Sequence, residues 1–374
     1  MSLKALWKPI AIHEAACEDA QPRRPQLARS SHGLVSIARD RVLIFGGELE
    51  PRTPVDSDLI EIRGVNDDDD ASITPRLATL ASSNEGDETW PSARVGASLV
   101  TADEGRGKVY LWGGRGGKEM GTFAGETGIW QFDAVGTKQW VELATTGDRP
   151  DPRSFHTMCT LNNTLFLHAG CPASGRLGQL HALDLDTRVW TRLPDAPGLA
   201  RGGTVLTPLP ARSRGRGHVL ARFGGFAGHE LDGLDVYDVD HQEWRSIETE
   251  GPVKPEKRSV HVFVGLDGAL GFEGKDVVGV LALGEREGAP AELGHNGAGF
   301  FHDDAWALLR TREEADAKYS WVKLEPSEKS EGTPEARGWL PAAHLSGSKV
   351  VFQGGLNEKN ERLGDAWTLK VVVE

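Results

Sequence analysis

The sequence feature that most constrains the fold is an arginine-centred segment that occurs six times along 374 residues. Each arginine is followed by a strand-like stretch, such as SSHGLV after Arg29 and SFHTM after Arg153. The six arginines are Arg29, Arg94, Arg153, Arg201, Arg258 and Arg337, at intervals of 48 to 79 residues. A chain that repeats one unit in this way folds as a repeat protein, so its function has to be argued from the unit.

Most copies continue to a glycine doublet. The doublets are Gly46-Gly47, Gly113-Gly114, Gly224-Gly225 and Gly354-Gly355, and the third and fifth copies have Ala169-Gly170 and Leu283-Gly284 instead. Two more strand-like stretches follow, and the last often carries a tryptophan, as in KQWVEL at Trp140 and QEWRSI at Trp244. Four short strands per unit, punctuated by turn residues, predict an all-β chain.

Arginine, glycine doublet and tryptophan at a period of about 50 residues resemble the kelch repeat over nearly the whole chain. The resemblance implies a single six-bladed kelch β-propeller covering residues 1–374. The last unit, residues 337–374, has only three strands, and residues 4–12 around Trp7 look like its missing outer strand. We therefore expect this N-terminal strand to complete the last blade and close the ring, which leaves no terminal sheet edge open.

Charge and composition exclude several classes of partner. The formal net charge is −13, so the positive field that a nucleic-acid or acidic-membrane partner requires is missing. The chain has neither an apolar stretch of about 18 residues nor a basic segment before an apolar one at its N-terminus, so we expect no membrane span and no signal peptide. Three scattered cysteines, Cys17, Cys159 and Cys171, favour reduced thiols and a cytoplasmic location.

The repeated arginines are the first candidate site. Each precedes the innermost strand of a blade, so we expect the six guanidiniums to gather at one mouth of the central channel and to bind carboxylate, sulfate or phosphate. The predicted catalytic residues are Arg94, Arg153 and His156, and the predicted substrate-binding residues are Arg29, Arg201, Arg258, Arg337, Phe155 and Trp339. The alternative is that individual arginines brace loops through salt bridges and backbone carbonyls.

Histidines follow several of these arginines, at His32, His156, His261 and His344. A histidine that points into the channel is suited to acid or base catalysis near neutral pH. The alternative is that these rings hydrogen-bond a neighbouring blade.

The least repeat-like segment is the loop of the fifth unit, residues 284–299, which is rich in glycine and carries carboxylates and a histidine. Such groups can hold a divalent metal with open coordination positions. Ordinary solvated loops have the same composition, so both interpretations stay open.

A narrower resemblance rests on Arg94, the PRSFH segment at Arg153, the RGW segment ending at Trp339 and the GE…GHNGAG loop. Together they look like the nitrile-specifier and thiocyanate-forming proteins of plants and their fungal relatives. The resemblance implies that Arg94 and Arg153 bind the sulfate of a glucosinolate aglucone, and that Trp339 lines the pocket. We add Phe155, from the PRSFH segment, as a second residue of the pocket wall.

The same resemblance implies Fe(II) held by a Glu-x3-Asp-x3-His motif. Glu287 and His295 match its outer positions, and Ala291 stands where the family has aspartate. This departure removes one ligand, which another side chain would have to replace. The candidates are Glu285, Glu292, His302 and Asp303.

Two classes of function remain. The first is a lyase, isomerase or cyclase of secondary metabolism that acts on a small anionic or polyoxygenated substrate, alone or beside a partner enzyme, without a nucleotide cofactor. The second is a non-catalytic kelch scaffold whose mouth binds an acidic peptide or protein. A copper radical oxidase is set aside, because the only tyrosines are Tyr110, Tyr237 and Tyr319, and the first and second of them sit in strand patterns.

Overall fold

The computed structural model describes residues 1–12, 26–65, 75–81, 89–102, 107–123, 128–211, 217–290, 292–293, 297–312 and 317–374. Within these ranges the regular structure is entirely β, and six four-stranded blades form a propeller. The predicted six-bladed all-β fold is therefore confirmed.

The strands follow the six repeats in order. The chain begins with β1 (Leu3–Pro9), and the first blade region contains β2 (Gly33–Ala38), β3 (Arg41–Phe45), β4 (Glu48–Glu50), β5 (Thr53–Pro54), β6 (Leu59–Arg63) and β7 (Arg76–Ala81). The second contains β8 (Ser98–Thr101), β9 (Lys108–Trp112), β10 (Arg115–Gly116), β11 (Gly121–Thr122), β12 (Gly128–Asp133) and β13 (Trp140–Ala144). The third contains β14 (Thr146–Gly147), β15 (Thr157–Leu161), β16 (Thr164–His168), β17 (Leu180–Asp184) and β18 (Val189–Leu193).

The fourth blade contains β19 (Val205–Leu209), β20 (Val219–Phe226), β21 (Glu230–Asp238) and β22 (Glu243–Ile247). The fifth contains β23 (Val262–Gly265), β24 (Gly271–Phe272), β25 (Lys275–Ala282), β26 (Glu285–Glu287), β27 (Phe300–Phe301), β28 (Ala305–Thr311) and β29 (Tyr319–Lys323). The sixth contains β30 (Glu325–Pro326), β31 (Arg337–Gly338), β32 (Ala342–Ser346), β33 (Lys349–Gln353), β34 (Leu356–Asn357) and β35 (Ala366–Val373). From the channel outward, the antiparallel blade orders are β2-β3-β6-β7, β8-β9-β12-β13, β15-β16-β17-β18, β19-β20-β21-β22, β23-β25-β28-β29 and β32-β33-β35-β1.

The termini close the ring as expected. β1 pairs with β35 along its whole length, from Leu3 opposite Val373 to Pro9 opposite Trp367. Alternate residues of β1 are buried, with Trp7 only 2% exposed and edge-on to Phe352. The burial of this alternating apolar face holds the N-terminal strand as the outermost strand of the sixth blade.

The cores lie in the seams between blades, where sequence-distant aromatic residues meet. Trp140 of the second blade packs edge-on to Phe45 of the first, with ring centroids 5.6 Å apart. Trp321 of the fifth blade contacts Phe223 of the fourth at the same separation. The repeated tryptophan of the outer strand therefore ties each of these blades to the preceding one.

A closed ring of backbone hydrogen bonds surrounds the channel. Its members are the residues two positions after each repeated arginine: Ser31, Gly96, Phe155, Gly203, Val260 and Trp339. The amide of each donates to the carbonyl of the equivalent residue in the preceding blade, and Ser31 donates to Trp339, with distances of 2.7 to 3.0 Å. All six backbones are left-handed, with φ between 46° and 64°. This ring of hydrogen bonds fixes the backbone positions from which its six side chains extend at the channel mouth.

Candidate functional site

The six repeated arginines are buried braces. Each is at most 5% exposed. From Nη1 each donates to the carbonyl of the first doublet residue in its own blade, in the pairs Arg29–Gly46, Arg94–Gly113, Arg153–Ala169, Arg201–Gly224, Arg258–Leu283 and Arg337–Gly354. From Nε each also donates to a carbonyl two or three residues upstream. One side chain thus ties the inner loop of a blade to the turn that follows its second strand.

Three of these arginines also form ion pairs, the first of them Arg29 with Asp56 at 3.5 Å. Arg258 contacts both carboxylate oxygens of Asp304 at 2.6 and 3.0 Å, and Arg337 contacts those of Asp365 at 2.5 and 2.9 Å. Burial lowers the pKa of Arg94, Arg153 and Arg201 to about 10, so these guanidiniums stay charged at neutral pH.

The prediction that the six repeated guanidiniums gather at the channel mouth is therefore wrong. Among the described residues that line the mouth, none of the six appears. Their donors are directed to backbone carbonyls, because the glycine turns present those carbonyls at the same place in every blade. The remaining donors meet three carboxylates and the side chains of Ser92 and Gln179. The alternative that the arginines brace loops is the one that the structure supports, and their predicted catalytic and substrate-binding roles lose their geometric basis.

A cavity of about 500 Å³ does lie over the channel, and a different repeat position builds it. This position is the residue directly after the doublet, occupied by Glu48, Arg115, Cys171, Phe226, Glu285 and Leu356. Each pairs through its backbone with the residue after the repeated arginine of its own blade. The same local pairing in six blades turns six different side chains toward one space.

Two guanidiniums that have no carboxylate partner among the described residues form one end of the cavity. Arg115 lies 5.6 Å from the Phe155 ring centroid, and its Nε donates to Ser154 Oγ at 2.8 Å. Arg176 lies 4.6 Å above the Phe226 ring, and its buried Nε has no hydrogen-bond partner among the described residues. Guanidiniums that stack on aromatic rings keep their N–H edges available for an anion. We call Arg115 and Arg176 the anion end.

Cys171 lies between these two arginines in sequence and lines the same cavity. Burial raises the pKa of its thiol, and the charges of Arg176 and Arg115 oppose that shift. The net direction keeps the thiol protonated at neutral pH, so Cys171 is a weak nucleophile here.

A third guanidinium in the cavity is already neutralised. Arg362 forms an ion pair with Glu48 at 3.1 Å, and its side chain is 5% exposed. Arg52 lies at the exposed rim, where its backbone amide donates to the Glu48 carboxylate at 2.8 Å. The four arginines of the cavity outnumber its two glutamates, so the cavity is locally cationic within an acidic protein.

Glu285 stands on the opposite side of the cavity from Arg115, because the second and fifth blades of a six-bladed ring face each other. It is 7% exposed. Burial, followed by the negative charge of Glu230, raises the pKa of Glu285 to about 8, and a hydrogen bond from the Trp339 side chain opposes the shift. A neutral carboxyl at pH 7 can donate a hydrogen bond or a proton to a bound ligand.

Phe155 and Trp339, predicted as pocket residues, do line the cavity. They lie in the third and sixth blades, which face each other across the axis. Their rings meet edge to face, with centroids 5.4 Å apart. They form an apolar floor between the anion end and Glu285.

His156 lies below this floor and lines the channel, together with His32 and His261. The His156 ring meets Trp112 of the preceding blade edge-on at 5.1 Å, and His261 contacts Phe223 in the same way at 6.0 Å. Burial first, and the charge of Arg153 second, lower the pKa of His156 to about 3. The ring is therefore neutral near pH 7 and packs in an interblade seam, which favours the structural alternative for this predicted catalytic residue.

These seam histidines predict a loss of stability in mild acid. Burial and a nearby arginine also lower the pKa of His32 and His261 well below its usual range. Because the unfolded chain takes up protons below about pH 6.5 and the folded chain does not, the stabilisation is complete above that pH and declines as the pH falls. We expect each ring to contribute a slope of roughly 1.4 kcal/mol per pH unit below pH 6.

Denaturant unfolding between pH 6.5 and 4.5 measures this slope. His156→Leu should reduce the slope by the contribution of one histidine, whatever its effect on stability at neutral pH. His241→Gln is the matched control, since His241 is exposed on the surface. Equal slopes in the wild type and His156→Leu would contradict the assignment.

The predicted iron ligands are not brought together by the described residues. Glu287 is exposed, and His295 and Ala291 lie outside the described residues. In the described part of the chain no three His, Cys, Asp or Glu side chains converge on a common point. Fe(II) stays a prediction of the resemblance.

Of the loop carboxylates considered, Glu285 is the one that the structure places in the cavity. The loop returns across it at Gly299, where an added Cβ would lie 2.3 Å from the Glu285 carboxylate and 2.2 Å from the Glu287 carbonyl. Only glycine fits this close approach. The glycine-rich character of the segment thus has a steric cause beside Glu285.

Sequence reasoning missed Arg115 and Arg176. Arg115 was visible as the residue after the second doublet, in LWGGR, a position that repeats in all six units. Arg176 has no repeat position that marks it, because it reaches the cavity from the longer turn after Cys171. A search of the post-doublet position would have found one of the two.

With this geometry established, comparison with known proteins identifies the family. Residues 31–272, more than half of the chain, match the model of the KLHDC2/KLHL20/DRC7 Kelch-repeats domain. The chain therefore belongs to the kelch-repeat family. Among the described residues no helix is long and apolar enough to cross a membrane.

Relatives of two kinds resemble the chain. The "N-(sulfonatooxy)prop-2-enimidothioate sulfolyase" of Thlaspi arvense is 25% identical over 366 residues, covering 92% of each protein. Kelch domain-containing protein 3 of Rattus norvegicus is 28% identical over 287 residues, covering 75% of this chain and 65% of that relative. The solved structure of YjhT has a TM-score of 0.62 at 15% identity, and covers 94% of this chain and 99% of the other, which supports the fold alone.

Proposed function

We propose that this kelch protein is a lyase-type enzyme that holds a small anionic substrate in the cavity over the channel. The observation that carries the proposal is the anion end. There Arg115 and Arg176, which have no carboxylate partner in the part of the chain that the structure describes, present guanidiniums to a cavity of about 500 Å³. The likeness to a sulfolyase over most of both chains supports the same class of reaction. Isomerase and cyclase reactions are the alternatives to a lyase reaction within the same proposal.

The cavity is arranged to separate charge along the substrate. The anion end would hold the anionic leaving group and stabilise the negative charge that develops on it as its bond breaks. Phe155 and Trp339 would support the apolar middle of the substrate. Glu285 would give its proton to the atom at the other end, since its carboxyl is neutral near pH 7, and the carboxylate that remains would take up a proton from solvent after the product leaves.

Glu285→Gln is the first test of catalysis. The assay follows sulfate release from N-(sulfonatooxy)prop-2-enimidothioate, the compound after which the Thlaspi arvense sulfolyase is named, and compares the rate with that in buffer alone. If Glu285 transfers a proton, we expect the variant to lose about 100-fold or more in rate, because glutamine keeps the shape but cannot give up a proton. Glu243→Gln, at an exposed position of the fourth blade, should match the wild type.

If the wild type accelerates sulfate release and Glu285→Gln accelerates it equally, Glu285 takes no part in the reaction. No acceleration by the wild type, over buffer, would contradict sulfate elimination from this compound. Unchanged folding of the variant, checked by near-UV circular dichroism, makes the comparison valid.

A second candidate function is binding of an acidic peptide. It is favoured by the exposed Arg52 at the rim, which an acidic peptide entering the cavity would contact. Relatives named as kelch domain-containing proteins are consistent with it. Peptide binding does not require proton transfer, so Glu285→Gln would leave it unchanged.

A cytoplasmic location is part of the same proposal. The described cysteines, Cys159 and Cys171, are both free thiols, as expected in a reducing compartment.

A further inference from the structure

Two aromatic side chains close the channel beneath the cavity. Phe155 and Trp339 line the cavity above and also the channel below, whose volume is about 190 Å³. The other four positions of the hydrogen-bonded ring carry Ser31, Gly96, Gly203 and Val260, which are too small to reach across the axis. The meeting of the two rings at 5.4 Å is therefore the barrier between the two spaces.

Both rings are held in place. The Phe155 ring covers Gly96, where an added Cβ would lie 2.8 Å from two of its carbons, and Arg115 lies 5.6 Å from its centroid. The Trp339 side chain donates a hydrogen bond to Glu285. The barrier is thus fixed by the same residues that form the two polar ends of the cavity.

The backbone at these two positions is strained for an aromatic residue. The φ angles are 51° at Phe155 and 58° at Trp339, in the left-handed region that bulky residues rarely adopt. Glycine occupies the equivalent positions in the second and fourth blades without this strain. Strain that a glycine would relieve points to a role for the side chains themselves.

Below the barrier, the channel offers an apolar path. Its walls include Leu99, Met158, Val205, Val262 and Leu340. The seam histidines that also face it are neutral at pH 7, so they present no charge to an alkyl chain. An apolar chain that passed the barrier would leave water and gain affinity with each methylene.

We propose that Phe155 and Trp339 set the depth of the substrate site, so that the enzyme selects short anionic substrates and excludes those with a long chain along the propeller axis. The proposal rests on the proposed function, because it takes the anion end as the point where the substrate is anchored. It adds a size limit and names the two residues that impose it.

Titration calorimetry with n-alkyl sulfates of two to eight carbons, below their micelle concentrations, tests the limit. For the wild type we expect affinity to level off or fall once the chain outgrows the cavity. For Phe155→Gly, and more strongly for Phe155→Gly with Trp339→Gly, we expect affinity to keep rising by about fourfold for each methylene that enters the channel. Phe155→Leu should fall between the wild type and Phe155→Gly, and serves if the glycine variants do not fold.

Ser31→Gly is the matched control. It relieves the same left-handed strain in the first blade, where φ is 58°, without removing a ring. It should reproduce the wild-type dependence on chain length. The same rise in Ser31→Gly as in Phe155→Gly would overturn the proposal, because the effect would then come from the backbone.

The outcomes distinguish the size limit from the anion end. Binding by the wild type with a length dependence that stays the same in the Phe155 and Trp339 variants overturns the size limit and leaves the anion end intact. Failure of every alkyl sulfate to bind any of the proteins overturns the anion end, and the size limit with it.

Discussion

Changing Arg115 and Arg176 together to glutamine is expected to weaken the binding of ethyl sulfate by at least about 100-fold, because two charge-assisted hydrogen bonds to the anion are lost. Neither guanidinium forms an ion pair within the described residues, and both stack on aromatic rings. The free energy of unfolding should therefore change by less than about 1 kcal/mol. Titration calorimetry and denaturant unfolding measure the two effects separately.

Arg192→Gln is the control for this experiment. Arg192 is a surface arginine of the third blade, paired with Asp195 and 42% exposed, so it changes the net charge by one without touching the cavity. Its affinity for ethyl sulfate should equal that of the wild type. An affinity of the double variant within about threefold of the wild type would rule out the anion end.

The opposite result is expected at the repeated arginines. Arg258→Met should lower the free energy of unfolding by about 3 to 5 kcal/mol, because it leaves Asp304 without its cationic partner. It also removes the donors to the Leu283 and Glu256 carbonyls. Denaturant unfolding at pH 7 measures the loss.

Two further variants sharpen this prediction. Adding Asp304→Asn to Arg258→Met should recover part of the loss, since the unpaired charge is then removed. Arg176→Met also removes one guanidinium but breaks no ion pair with any described residue, so it should cost less than about 1 kcal/mol. A cost below about 1 kcal/mol for Arg258→Met would contradict the bracing role.

The fold was predictable from the sequence because its determinants are local and repeat. The arginine, the doublet and the outer tryptophan each recur at fixed places in a unit, so six units predict six blades. The unpaired last unit and the Trp7 segment predict the closure that pairs β1 with β35. The short strands β30 and β14, which add to the outer edges of two blades, have no repeat signal.

The site was predictable only in part, because the repeat shows where an arginine lies but not where its side chain points. Arg94 and Arg115 both stand beside the same turn. Arg94 meets the Gly113 carbonyl at 3.1 Å and is buried, and Arg115 faces the cavity. Arg115 pairs through its backbone with Val95, and this pairing lies beside the cavity. Trp339 was predicted from the resemblance and Phe155 from the PRSFH segment, and the structure places both on the ring of backbone hydrogen bonds.

A crystal structure of the protein with ethyl sulfate would locate the anion site. We expect the sulfate group between the guanidiniums of Arg115 and Arg176, with the ethyl group over Phe155 and Trp339 and directed toward Glu285. A sulfate held instead by the repeated arginines, or bound away from the cavity, would contradict this expectation.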